Sequence, residues 1–191
     1  MTSDKTRVRF ANRAELTQWL EDNHQQADGI WAEYPKQTSG ISDLSWDALV
    51  EECLSFGWID SVLAKVDEIW TATYIAPRRA GSGWSRRNKE IAATLIATGQ
   101  MRSPGALAIE RAKADGSWER FDLAEALVLP PTLKREFDVN PSAERGFNAY
   151  PERARKSILQ WLYDAKQEKT LTSRIEKLVE AAKKGERLPG F

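Results

Sequence analysis

The chain has one histidine, His24, and one cysteine, Cys53, in 191 residues. A lone cysteine excludes an intrachain disulfide. One residue of each type also excludes a zinc centre of the usual nitrogen and sulfur ligands. A Cys–His nucleophilic pair has no support, because nothing in the sequence brings the two together. No apolar run approaches the roughly 18 residues that a membrane-spanning helix requires. No Walker loop, Rossmann fingerprint or Gly-x-Ser-x-Gly elbow is present. A carboxylate-bound Mg²⁺ site is unsupported, and the expectation is no metal and no cofactor. The opening residues, Met1 to Arg7, lack the apolar stretch of a signal peptide, so a cytoplasmic location is expected.

What is abundant is charge, unevenly placed. Between Ala11 and Trp70 lie twelve acidic and three basic residues, a net of −9. Between Arg78 and Lys113 lie eight basic and two acidic ones, a net of +6. The formal total is zero. A neutral chain does not carry the basic footprint of a nucleic-acid binder, so no nucleic-acid partner is expected. A local anion site remains compatible with that balance.

Periodicity predicts an α+β fold. Val8-Arg9-Phe10 opens a strand, and Asn12 caps a helix carrying Leu16, Trp19 and Leu20. Ile30 to Tyr34 alternates as a half-buried strand does. Ser45 caps a second helix with Trp46, Leu49, Val50, Cys53 and Leu54 on its core face. Trp58 to Val66 and Glu68 to Ala76 form a hairpin. The result is a small antiparallel sheet of about four strands with packed helices, followed by a mostly α-helical C-terminal region. Pro104 opens a helix, and Leu129-Pro130-Pro131 is the strongest punctuation. The expected organisation is an α+β body over 1–128 and a helical module over 129–191 packed on it. In that module Ile158, Trp161, Leu162 and Ala165 mark one helical face, and Leu171, Ile175, Leu178, Val179 and Ala182 another.

The segment from Phe56 to Lys89 departs from local preference. Arg86 and Arg87 follow Ser85, a helix cap, and so place positive charge where the helix dipole favours a negative one. A bound phosphate or carboxylate reverses that penalty through the dipole, exposed N–H groups and bidentate arginine contacts. The candidate ligand-binding residues are therefore Trp58, Asp60, Arg78, Arg79, Ser85, Arg86, Arg87 and Asn88. A competing reading pairs the arginines with the acidic N-terminal segment, for example Asp60, as a structural ion-pair network. Trp84 reads as core.

Several motifs here resemble the YdeI/OmpD-associated, or bacteriocin-protection, family. They are Phe56-Gly57-Trp58-Ile59-Asp60, Pro77-Arg78-Arg79, Ser82-x-Trp84-Ser85-x-x-Asn88, Gly99-x-Met101 and Ala112-Lys113-x-Asp115-Gly116-x-Trp118. The stretch from Asp122 to Lys184, with Phe147, Tyr150-Pro151 and Trp161-x-x-x-Ala165-Lys166, is similar to that family's module. Ser55 stands where the family carries a cysteine, and Thr170-Leu171 where it carries Thr-Arg. The resemblance implies a protective role and no defined reaction. Together these readings lead to a small cytoplasmic binding or stress-associated protein with an anion-recognising cleft. Its partner is then an anionic small molecule or an acidic protein segment. The alternative is a metal-independent enzyme acting on an anionic substrate with Asp60 as base.

Overall fold

The computed structural model describes residues 6–25, 28–40 and 43–191. The chain divides into two compact units, Met1–Glu119 and Arg120–Phe191. The first contains strands β1 (Arg7–Arg9), β2 (Ile30–Pro35), β3 (Trp58–Lys65) and β4 (Trp70–Pro77). Its helices are α1 (Arg13–Asn23), α2 (Trp46–Ser55), α3 (Arg86–Ala97) and α4 (Ser103–Ala114). The fold is α+β.

The strand order is β1-β2-β4-β3. Three strands are antiparallel, as expected, but β1 runs parallel to β2 and makes the sheet mixed. The reason is α1, which lies between the two strands in sequence and supplies the crossover that parallel pairing needs. The β3–β4 turn is held by Asp67, whose Oδ1 accepts from Ile69 N at 2.8 Å and Trp70 N at 2.7 Å.

Local signals place the helices. Asn12 accepts from Glu15 N at 3.0 Å, and Glu15 accepts from Ala11 N at 2.7 Å, so α1 starts on reciprocal caps. Ser45 caps α2 by accepting from Ala48 N at 3.1 Å. Leu16 and Leu20 of α1 and Leu49, Cys53 and Leu54 of α2 share one core with Ile30, Ala32, Tyr34 and Ile75 of the sheet. Trp46 differs from expectation. It is exposed at the first position of α2, and its indole donates to Asp60 Oδ2 at 3.2 Å. Cys53 is fully enclosed; burial, with smaller contributions from Asp60 and Glu52, pushes its thiol well above the ordinary range.

Alternation turns Trp31 and Glu33 of β2 to the other side of the sheet. There Arg7 stacks over Trp31 at 5.6 Å and Arg9 over Trp70 at 4.3 Å. Both arginines reach Glu33 at 2.9 Å. Burial alone would raise the Glu33 carboxyl, which is only 7% exposed, but the two arginine hydrogen bonds outweigh it and hold the group below its usual range.

The second unit is helical: α5 (Asp122–Glu125), α6 (Pro131–Val139), α7 (Pro141–Asn148), α8 (Glu152–Tyr163) and α9 (Glu168–Lys184). Proline opens α6 and α7, where a missing N–H costs nothing. Leu133, Phe137, Phe147, Ile158, Leu162, Ile175 and Leu178 form its core. Ile158, Trp161 and Leu162 of the first expected face lie on α8, with Ala165 beyond its end, and the second face is that of α9. Trp161 lies at the core's edge, against Phe191 at 5.4 Å and beneath Arg174 at 4.9 Å. Gly146 lets α7 approach the α9 backbone at Ala182. No described helix is long and apolar enough to cross a membrane.

Candidate functional site

Helix α2 ends at Ser55 with Phe56 as its cap, and Gly57 follows with φ of +74°, a conformation that favours glycine. Its N–H donates to Leu54 O at 3.1 Å, and its carbonyl accepts from Arg78 N at 3.0 Å. A Cβ at Gly57 would lie 2.9 Å from Pro104 O, and one at Gly105 would lie 2.6 Å from Leu54 O. Two missing side chains therefore let the end of α2 meet the start of α4 backbone to backbone.

Gly57 and Pro104 line a cavity of about 710 Å³. Phe56, Trp58, Pro77 and Leu107 give it apolar walls; His24, Arg78, Ser103 and Arg111 are among its polar ones. Among the described lining residues none is acidic. That contrasts with the acidic segment that supplies His24 and Trp58. A volume of this size, mostly apolar with a few convergent polar groups, suits a small-molecule site.

Arg78 is the unusual member. It is 8% exposed, yet only Nη1 has a hydrogen-bond partner, Gly83 O at 3.0 Å. Nε and Nη2 are buried without a partner. The guanidinium sits 3.8 Å from the centroid of the Trp84 ring. Burial lowers its pKa to about 10, and Asp60 offsets part of that fall. Asp60 forms no ion pair with Arg78 and accepts instead from the Trp46 indole. Arg78 and Arg111 also border a second, small cavity of about 20 Å³, shared with Arg79 and Asp115. It has room for a water rather than a ligand. Asp115 is engaged there, accepting from Gly81 N at 3.0 Å and Ser117 N at 2.9 Å.

His24 lies at the end of α1. Its Nδ1–H donates to Leu20 O at 3.1 Å and Glu21 O at 3.2 Å, which leaves Nε2 as the nitrogen for a ligand. Its ring centroid is 5.7 Å from that of Phe56. Its carbonyl accepts from Trp58 Nε1 at 3.0 Å. Helix α4 begins here without a side-chain cap. Its N-cap residue Arg102 pairs with Glu21 at 3.4 Å and lies 5.7 Å from the Phe56 ring.

The eight residues singled out in the sequence separate into groups. Trp58 and Arg78 line the large cavity, and Arg79 reaches only the small one. Ser85 caps α3, accepting from Asn88 N at 3.2 Å. Arg86 pairs with Glu90 along the helix at 2.9 Å, and Arg87 pairs with Asp47 while stacking over Trp46 at 4.6 Å. Trp46 thus links Arg87 to Asp60, outside the large cavity. Sequence reasoning passed over His24, Ser103 and Arg111. The usable signal was Arg102-Ser103-Pro104, a helix start rich in positive charge. No group of three or more His, Cys, Asp or Glu able to hold a metal occurs among the described residues.

The class defined so far is an α+β unit with a basic, apolar-walled cavity, joined in sequence to a helical unit. Residues 8–108, more than half of the chain, match the model of a domain of unknown function, DUF8412, and the chain belongs to that family. Residues 126–185 match the family described as bacteriocin-protection, YdeI or OmpD-associated. The resemblance to the latter is thereby located in the second unit. The motifs from Phe56 to Met101 fall instead within the other family's span. No curated protein and no solved structure matches the chain.

Proposed function

We propose that this protein is a small cytoplasmic binding protein whose first unit recognises a small anion in the cavity at Arg78. One observation carries the reading: a buried guanidinium in the cavity wall with two nitrogens that no protein group accepts from. Burying an unpaired charge costs several kcal/mol, so such a group is retained against a stability cost. An oxyanion placed in the cavity supplies the missing counter-charge, and a small turn of the Arg78 side chain brings Nε or Nη2 to it as donors. The absence of acidic lining residues supports the same reading. The bacteriocin-protection description of residues 126–185 supports a protective, stress-associated setting for that binding.

The test is thermal denaturation in phosphate or sulfate against chloride at matched ionic strength. A ligand that binds only the native state raises the melting temperature by mass action. The oxyanions should raise it in the native sequence and not in Arg78→Met. An equal response in the two proteins would remove Arg78 from the site.

A further inference from the structure

The cavity has two basic ends, and this decides what kind of anion fits it. Ser103, Pro104, Leu107 and Arg111 all line it and fall on one face of α4 at helical spacing. At 1.5 Å per residue, the wall from Ser103 to Arg111 is about 12 Å long. At the Ser103 end stand the uncapped start of α4 and His24. Glu21 is the acidic group beside this end, and it is engaged by Arg102. At the other end Arg78 and Arg111 come together, since both border the same small cavity as well as the large one. Asp115, the acidic group there, already accepts two backbone hydrogen bonds.

Between the ends the wall is apolar. Leu107 is 56% exposed and offers apolar surface to a ligand's hydrocarbon. Phe56, Trp58 and Pro77 add apolar surface in the same cavity. An inorganic anion satisfies one end and leaves this middle wet.

Building on the anion reading, we infer that the ligand is an elongated diacid, with an acid group at each end of an apolar chain or ring. One acid group is held by Arg78 and Arg111. The other meets the N–H groups at the start of α4 and the Nε2–H of His24 in its imidazolium form, the form in which both ring nitrogens donate.

Titration calorimetry with octanedioate, octanoate and butanedioate at fixed ionic strength tests this. Octanedioate should bind at least tenfold tighter than either of the others, because octanoate lacks one acid group and butanedioate cannot span the wall. His24→Gln and Arg111→Ala, both at accessible positions, should each bring octanedioate down to the level of octanoate. Amide chemical shifts of Gly105 and side-chain shifts of Arg111 should move together with octanedioate and separately with shorter anions. Equal binding of octanoate and octanedioate, or binding of phosphate alone, overturns the two-ended site while the Arg78 anion reading stands. If phosphate, sulfate and all three organic acids fail to bind, both readings fall.

Discussion

The Arg78 guanidinium carbon lies 3.8 Å from the centre of the Trp84 ring, and the same indole meets Trp118 at 4.9 Å. The aromatic surface holds the charge in place without neutralising it. A cation–π contact of this desolvated kind contributes about 2 kcal/mol, and the hydrogen bond to Gly83 about 1 kcal/mol. Against them stands a desolvation penalty of several kcal/mol. Arg78→Met should therefore leave the anion-free protein as stable as the native sequence or more so. Urea denaturation in chloride checks this. A loss of more than about 3 kcal/mol, the sum of the two removed contacts, would make Arg78 a structural residue.

Arg86 and Arg87 serve as the control. Their partners, Glu90 and Asp47, are exposed, and surface ion pairs of this kind contribute between zero and about 1 kcal/mol each. Removing positive charge from a helix start returns a few tenths of a kcal/mol. The double variant Arg86→Ala, Arg87→Ala should change stability by no more than about 2 kcal/mol and retain the phosphate and sulfate response. Loss of that response would move the site to the start of α3.

Glu33 makes the first unit acid-sensitive. Its carboxyl is held below the ordinary value of 4.5 by Arg7 and Arg9, so folding favours the ionised form. The sign follows directly. The stabilisation is fully present above 4.5 and is lost as pH falls from there through the lower native value. Glu33→Gln should lower stability at neutral pH and flatten the acid limb of a stability–pH curve. An acid limb of unchanged steepness in that variant would assign the acid sensitivity to other carboxylates.

In the second unit, a methyl group at position 146 would collide with the Ala182 carbonyl oxygen, which is backbone and cannot rotate aside. Gly146→Ala should cost about 3 kcal/mol, the upper end for overpacking between rigid elements. The loss of helical circular dichroism on urea titration measures it. Near-native stability would show that α7 and α9 separate freely.

Much of the fold was legible because it is written in local chemistry. Asn12, Ser45 and Ser85 cap the helices they were expected to cap, and the β3–β4 hairpin sits where the alternation put it. The parallel β1 was not legible, since a three-residue strand carries no sign of its partner's direction. Trp84 was expected in the core and lies there; it precedes the α3 cap and is placed by contact with Arg78 and Trp118. The site was legible only in Trp58 and Arg78. Its other members, His24, Ser103 and Arg111, come from the end of α1 and the face of α4, and no periodicity joins residues so far apart in sequence. Arg87 at the start of α3 reads as unfavourable in the sequence because its offsetting partner, Asp47, is equally remote.

Gly57 and Gly105 give the first unit a mechanical tolerance about the width of one methyl group. Where α2 ends and α4 begins, the distance between backbones is fixed by what these two positions do not carry. Leu107 and Arg111 ride on α4 and Trp58 follows Gly57 directly, so the bore of the cavity is gauged by that same clearance. A side chain added at either glycine acts as a shim, levering the helix outward from the far end of the molecule's own yardstick. The width of the cavity is thus set by two positions that carry no side chain.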